Sequence, residues 1–239
     1  MFDDALSENL QAVGGMMLQL NRNGLVLHGQ LDVLRERFMT NHCVVLEKLL
    51  EPVLLEKLQR QIEQAPWRCT TYNNVGTEFT LDDPVTVHIL LFLLNRAEFL
   101  NAIRFITGCE EISDFLGRVY RLAAGPQSQL SWHTDIDLEP HEQRHLALSI
   151  NLSTDVYGGG TFELRDRQTK APLAQINNTG FGDALLFRVS NNLEHRVTEV
   201  VGKATKTACA GWFRATGVSL FADLVRQAAS IPTTQSGQP

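Results

Sequence analysis

The sequence of 239 residues has few cysteines, no long uninterrupted apolar run and no excess of basic residues. Its four cysteines include no CxxC pair, so neither a zinc knuckle nor a disulfide framework is expected. A formal net charge of −6 gives no electrostatic reason to expect nucleic acid or an anionic membrane as a partner. The most apolar stretch, 85–100, contains Asn95, Arg96 and Glu98, which argues against a transmembrane helix.

The N-terminal sequence MFDDALSENL has neither the basic start nor the apolar run of a signal peptide. Together with the scattered cysteines, this predicts a reducing, cytoplasmic location. Hydrophobic residues make up 44% of the chain, which is enough for a full core. Since no repeat or linker divides the sequence, we predict one domain over residues 1–239.

Apolar periodicity divides the chain into regions of different character. Residues 1–116 are predicted to form a mainly helical support region, in which Pro52 suits a first helical turn and Gly108 a helix end. Residues 117–216 contain eight short extended candidates separated by turn clusters such as DVYGGG and NTGFG. We expect 217–239 to form a closing helix and a flexible tail. The pattern predicts a mainly β fold with flanking N-terminal helices (α+β) and a jelly-roll or double-stranded β-helix core.

The segment SWHTDIDLEP contains the most informative polar residues. On a strand, His133 and Asp135 face the same side and can direct an imidazole and a carboxylate to one point. His195 begins another strand candidate far along the chain. Two histidines and one carboxylate on one face of a metal leave coordination positions open, as in non-haem iron(II) oxygenases. We therefore predict that these three residues bind iron(II) and form the catalytic centre.

The order HxD…H…K, with GGGTF between the histidines, FGDALLF before His195 and GWF in the last strand, resembles the 2-oxoglutarate/iron(II)-dependent dioxygenase superfamily. The prolyl-hydroxylase-like branch is the nearest in pattern, over about residues 118–214. This resemblance implies that His133, Asp135 and His195 hold Fe(II), and that 2-oxoglutarate and O2 are consumed. It also implies that Lys206, six positions before Trp212, neutralises the far carboxylate of 2-oxoglutarate.

The sequence departs from that branch where tyrosines commonly help to hold the cosubstrate. Ala123 stands at the first such position, and Tyr120, three residues away, is expected to face the other side of its strand. Asn151 or Ser149 replaces the second tyrosine, and we predict that Asn151 helps Lys206. Arg214 lies on the same strand face as Lys206 and is a further candidate for binding a carboxylate of substrate or cosubstrate.

The resemblance implies a dioxygenase that hydroxylates an unactivated C–H bond of an amino-acid, peptidyl or small-metabolite substrate, releasing succinate and CO2. Two alternatives stay open: a cupin-like metalloenzyme that does not use 2-oxoglutarate, and a non-catalytic jelly-roll binding module. Lys206 distinguishes the first alternative, because chemistry without the cosubstrate has no need of a cation there. Neither the substrate nor the oligomeric state can be read from the sequence.

Overall fold

The computed structural model describes residues 17–72, 75–125, 128–136, 144–177 and 180–215, and within these ranges it contains four α-helices and fifteen β-strands. The helices are α1 (Asp32–Asn41), α2 (Pro52–Gln64), α3 (Pro84–Leu94) and α4 (Ala97–Thr107). The strands are β1 (Met17–Asn21), β2 (Gly24–His28), β3 (Cys43–Leu46), β4 (Trp67–Tyr72), β5 (Gly76–Leu81), β6 (Asp114–Leu122), β7 (Leu130–His133), β8 (Arg144–Asn151), β9 (Gly158–Gly159), β10 (Phe162–Asp166), β11 (Pro172–Ile176), β12 (Ala184–Arg188), β13 (Leu193–Val197), β14 (Val200–Val201) and β15 (Lys206–Arg214).

Local sequence signals set the helix ends. Pro52 occupies the first turn of α2, where its missing N–H costs no hydrogen bond. The side chain of Asp83 caps α3 by accepting from the backbone N–H groups of Val85 and Thr86, each at 3.2 Å. Helix α4 ends at Gly108, whose φ of +67° is a left-handed conformation that favours glycine.

The strands form two larger antiparallel sheets and two small pairs. The major sheet has the order β3-β12-β8-β15-β6-β5-β4, and the minor sheet has the order β11-β10-β13-β7. The pairs β1-β2 and β9-β14 complete the strand pairing. The eight strand candidates of the sequence correspond to β6, β7, β8, β10, β11, β12, β13 and β15. The predicted mainly β fold with helices on its N-terminal side is therefore confirmed.

Strands also occur in the N-terminal region, where the sequence indicated mainly helices. Of these, β3 coincides with a short β-branched run, CVVL. Strands β4 and β5 are short and rich in threonine, so they lack the clear apolar alternation that predicts a half-buried strand. They matter for the site because they extend the major sheet beyond β6. The closing helix and tail predicted for 217–239 lie outside the described residues.

Both faces of the central major-sheet strands are buried. On β8, Leu146, Leu148 and Ile150 belong to the core that packs against the helices. The intervening Ala147 and Ser149 line a pocket on the other face. Strand alternation thus separates a structural core on the helix side from a functional interior between the sheets. No helix within the described residues is both long and apolar enough to cross a lipid bilayer.

Candidate metal centre

The minor sheet brings the two histidines of the predicted centre together. His133 is the last residue of β7 and His195 is the middle residue of β13, and the two are paired across these antiparallel strands. Their ring centroids lie 4.3 Å apart. Asp135 follows just beyond the end of β7 and is buried, with 4% of its surface exposed. Residues far apart in sequence therefore meet through strand register.

The three side chains direct their ligand atoms to one point. Nε2 of His133 lies 3.4 Å from Oδ1 of Asp135, and Nε2 of His195 lies 3.6 Å from Oδ2. One ligand atom from each residue lies within 4.8 Å of the others. Two atoms that each lie about 2.1 Å from one ion are separated by at most about 4.2 Å, so the two measured distances fit a shared ion. Among the described residues, this is the only such group of ligands.

Neighbouring groups orient two of these side chains. Nδ1 of His133 lies 2.6 Å from the carbonyl oxygen of Ser131, so Nδ1–H donates there and Nε2 keeps its lone pair. The indole of Trp212 hydrogen-bonds the carboxylate of Asp135. The ring of His195 packs against Phe162 and Phe187, with centroids 5.7 and 4.8 Å away. Such contacts with neighbouring groups fix the orientation of the ligand side chains in the metal-free protein.

The protonation of the three residues suits a cation site. Burial lowers the pKa of His195 to about 4, although the Asp135 carboxylate acts in the opposite direction. Burial also opposes the charged form of His133, but the hydrogen bond and charge of Asp135 raise its pKa above the ordinary value. Burial would raise the pKa of Asp135, and the two histidines instead hold it well below its usual range. The centre therefore offers a carboxylate and one imidazole that is already neutral.

A pocket of about 810 Å³, open to solvent on one side, contains this centre and Lys206. Nζ of Lys206 donates to the carbonyl oxygen of Gly160 at 2.8 Å and has no carboxylate within 4 Å among the described residues. Burial lowers the pKa of Lys206 to about 8. A partly buried ammonium without a counter-ion is a binding position for an anionic group. Lys206 therefore fits the far carboxylate of a keto acid that reaches the metal.

The residues proposed to help Lys206 occupy different places. Asn151 lines a small recess with Lys206, but its amide already donates to the Gly180 carbonyl at 3.3 Å and accepts from the Ser153 N–H at 3.0 Å. Ser149 lines both this recess and the main pocket. The structure thus places Asn151 beside Lys206 and leaves the Ser149 hydroxyl nearer to the metal side.

The expected orientation of Tyr120 was wrong. Its ring lines the pocket, is 4% exposed and shares a hydrogen bond with Ser149. Strand β6 ends at Leu122, and Ala123 lies beyond it and is exposed. Side chains alternate between the two faces only within β6, where Arg118 and Tyr120 face the pocket. Ala123 lies outside the strand, so its position does not predict the orientation of Tyr120.

The structure does not bring Arg214 to the pocket. Arg214 and Lys206 stand at opposite ends of β15, eight residues or about 26 Å apart. The guanidinium of Arg214 binds Asp114 through two hydrogen bonds, 2.9 Å from Nε to Oδ1 and 2.7 Å from Nη2 to Oδ2. Since this carboxylate occupies one edge of the guanidinium, a structural ion pair explains why an arginine stands at position 214.

A second charged group in the pocket was not anticipated as a unit. Glu78 is fully buried on β5, and its carboxylate accepts hydrogen bonds from Nε and Nη2 of Arg118 on β6. The hydroxyl of Tyr72 on β4 donates to the same carboxylate at 3.2 Å. Nothing in the sequence connects Arg118 to Glu78, 40 positions earlier. Only the pairing of β5 with β6 reveals the cluster.

Comparison with known families supports this assignment. Residues 117–214 match the family model described as the 2OG-Fe(II) oxygenase superfamily. This range contains His133, Asp135, His195 and Lys206. No curated protein sequence matches the chain.

Several solved structures share the fold at low sequence identity. An oxidoreductase of the 2OG-Fe(II) oxygenase family from Burkholderia pseudomallei has a TM-score of 0.64 and 13% identity, covering 86% of this chain and 97% of that one. A Pseudomonas putida prolyl-4-hydroxylase has a TM-score of 0.58 and 15% identity, covering 79% and 100%. A Trichoplax adhaerens prolyl hydroxylase, in complex with a hypoxia inducible factor oxygen degradation domain peptide fragment, has a TM-score of 0.61 and 13% identity, covering 84% and 93%.

These findings confirm the double-stranded β-helix fold and the resemblance to the 2-oxoglutarate/iron(II) dioxygenase superfamily, with prolyl hydroxylases among the structural neighbours. The protein is a 2-oxoglutarate-dependent iron(II) dioxygenase, and its cofactors are Fe(II), 2-oxoglutarate and O2. The donor set fits them: two imidazoles and a carboxylate for the metal, and a lysine without a carboxylate partner for the keto acid.

Proposed function

We propose that this enzyme hydroxylates an unactivated C–H bond of an amino-acid, peptidyl or small-metabolite substrate, with release of succinate and CO2. His133, Asp135 and His195 would hold the Fe(II), and Lys206 would hold the far carboxylate of 2-oxoglutarate. One observation carries the proposal: the three ligand atoms converge in the same pocket that contains the Lys206 ammonium, which has no carboxylate partner among the residues that the structure describes.

The bound iron, together with 2-oxoglutarate and O2, supplies the oxidising power for breaking a C–H bond. The protein contributes position. Lys206 would anchor the cosubstrate at one end of the pocket. Tyr120 and Ser149 share a hydrogen bond and line the same pocket, so one of their two hydroxyl protons would remain to donate to the oxygens of the cosubstrate. We favour this pair over Asn151 as helpers, because the amide of Asn151 is already engaged with backbone groups.

Apolar walls limit the access of water to the centre. Leu130, Phe162, Leu185, Phe187 and Val197 line the pocket around the two histidines. A dry, shaped cavity strengthens the interaction between the metal and its ligands and confines the oxidant to the substrate. The family neighbours that act on prolyl residues make prolyl peptides a sensible first member of a substrate panel.

An anaerobic titration of the purified protein with Fe(II) and 2-oxoglutarate, followed by O2 and a succinate assay over the panel, tests the function. We expect saturable binding of both ligands and succinate release that a substrate stimulates. His195→Ala should abolish metal binding, whereas His88→Ala, at an exposed histidine on α3, should not. Failure of the protein to bind Fe(II), or equal effects of the two substitutions, would contradict the proposal.

A further inference from the structure

The pair of Glu78 and Arg118 lines the same pocket as the metal ligands and Lys206. Across β6 and β15, Arg118 pairs with Ala210 and Leu122 pairs with Lys206, so the backbone positions of Arg118 and of Lys206 are four residues, or about 13 Å, apart along the strands. Trp212, whose indole binds Asp135, is two residues beyond Ala210. Along the strand direction, Arg118 is therefore close to the metal side of the pocket and away from Lys206.

Hydrogen bonds occupy most of the polar atoms of this pair. Both carboxylate oxygens of Glu78 accept from Arg118, through Nε and Nη2, and the second of these bonds is 2.7 Å long. Oε1 also accepts from Tyr72 and, at 3.5 Å, from Thr80. Nη1 is the one guanidinium nitrogen of Arg118 that makes no hydrogen bond to Glu78, and the Tyr72 hydroxyl lies within reach of the guanidinium.

Aromatic rings hold the guanidinium in place. Its central carbon lies 5.6 Å from the ring centroid of Tyr72, 5.4 Å from that of Tyr120 and 5.6 Å from that of Trp212. All four side chains line the pocket. Arg118 is therefore a fixed donor, with Nη1 as its available group, in an aromatic wall.

The charges of the pocket sum to zero. Among the described lining residues, Glu78 and Asp135 carry negative charge and Arg118 and Lys206 carry positive charge. A divalent metal and the 2-oxoglutarate dianion also cancel. A substrate carboxylate would add a negative charge without a counter-charge, which is costly inside a pocket, whereas a neutral carbonyl oxygen would not.

We propose that Arg118 is a specificity-determining residue whose Nη1 donates to an uncharged carbonyl oxygen of the substrate, and that Glu78 selects against a carboxylate by neutralising Arg118. The preferred substrate class is thus an amide or peptide carbonyl compound and not a free carboxylic acid. This inference rests on the proposed function, because the charge balance includes the metal and the cosubstrate.

The test compares matched ligands. Dissociation constants are measured anaerobically by calorimetry for the protein loaded with Mn(II) and 2-oxoglutarate. The probes are twenty N-acetyl amino-acid methylamides and the twenty corresponding N-acetyl amino acids. We expect the best methylamide to bind about tenfold or more tightly than its acid. Glu78→Gln, which leaves the charge of Arg118 uncompensated, should shift this ratio toward the acid by roughly tenfold or more.

Glu163→Gln is the matched control. Glu163 is a buried glutamate on β10 that binds Arg196, and it does not line the pocket. Its substitution removes an arginine–glutamate pair and should leave the amide-to-acid ratio unchanged. If Glu78 had only a structural role, Glu78→Gln would lower the stability of the protein without shifting the amide-to-acid affinity ratio.

The double variant Glu78→Gln/Arg118→Gln removes both charges and covers the case in which the single variant does not fold. It should lose about tenfold to a hundredfold in affinity for the methylamide, because a hydrogen bond from a charged donor is lost. Equal binding of acid and amide by the unaltered protein, no binding of any methylamide, an unshifted ratio in Glu78→Gln or unchanged affinity in the double variant would each overturn the inference. The Mn(II) and 2-oxoglutarate titrations are recorded first, so loss of the proposed function is seen separately.

Discussion

Substitution of Lys206 by methionine removes the ammonium from the cosubstrate side of the pocket while keeping an unbranched apolar stem. Within the part of the chain that the structure describes, this ammonium donates only to the Gly160 carbonyl, and no carboxylate lies within 4 Å. Truncating one partner of a buried charge pair costs about 2–5 kcal/mol. The dissociation constant of 2-oxoglutarate should therefore rise between about 30-fold and a few thousand-fold. Anaerobic titration in the presence of Mn(II) measures it.

The pH dependence of the same equilibrium gives a second readout. Burial lowers the pKa of Lys206 to about 8 in the free protein. A bound dianion favours the protonated amine and raises this pKa, so affinity is full below pH 8 and is lost as the pH rises through 8, by about tenfold per unit. Lys206→Arg keeps its charge at every accessible pH and should bind 2-oxoglutarate with little change between pH 7 and about 10.

Lys203 provides the control for this series. It lies near Lys206 in sequence but is exposed to solvent, so Lys203→Met should leave 2-oxoglutarate binding and its pH profile unchanged. If Lys206→Met bound 2-oxoglutarate as tightly as the unaltered protein, or if Lys203→Met caused the loss instead, the assignment of the anchor would be refuted. The Mn(II) affinity, measured separately, shows whether the metal centre is intact.

Three further perturbations test other contacts. Trp212→Phe removes the indole hydrogen bond to Asp135 and should lower Mn(II) affinity by about 10- to 100-fold in a competition titration. Unchanged affinity would show that this hydrogen bond does not orient the Asp135 carboxylate. Gly211→Ala would place a Cβ 2.1 Å from the Leu116 carbonyl oxygen and should cost about 1–3 kcal/mol or more, lowering Tm by about 2–4 °C for each kcal/mol. Arg214→Gln breaks the bidentate ion pair with Asp114 and should lower Tm while 2-oxoglutarate binding stays the same. Weakened 2-oxoglutarate binding would instead assign the guanidinium to the cosubstrate.

The fold and the metal residues could be predicted because their signals are local. The eight strands after residue 116 are marked by alternation and turn clusters. Strand parity predicts that His133 and Asp135 point to the same side, although β7 ends at His133 and Asp135 lies just beyond it. His195 was assigned from its residue type and its position in a later strand candidate, and the resemblance supported the assignment, since parity says nothing about which strands become neighbours. The pairing of His133 with His195 across β7 and β13 is a property of the tertiary structure.

The errors have a common physical cause. Tyr120 was assigned to the wrong face because its parity was counted from Ala123, which lies outside β6. Arg214 shares strand parity with Lys206, but parity does not indicate that Asp114 stands opposite it across β6 and β15. The strand boundary decides which way Tyr120 faces, and the cross-strand partner decides what Arg214 binds. Both depend on hydrogen bonding between segments distant in sequence.

The sheet topology also decides which strands supply the metal site, the cosubstrate site and the Glu78–Arg118 pair. The residues for metal and cosubstrate lie on β7, just beyond its end, on β13 and on β15, all within the range that matches the oxygenase family. Glu78 and Tyr72 lie on the β4–β5 hairpin, before that range, and reach the pocket because β5 pairs with β6. A hairpin added at a sheet edge can change without disturbing the strands that hold the metal. Arg118 lies on β6 within the matched range, but its partner Glu78 comes from the hairpin outside it. Because this partner is not part of the matched pattern, the cofactors follow from the sequence and the substrate does not.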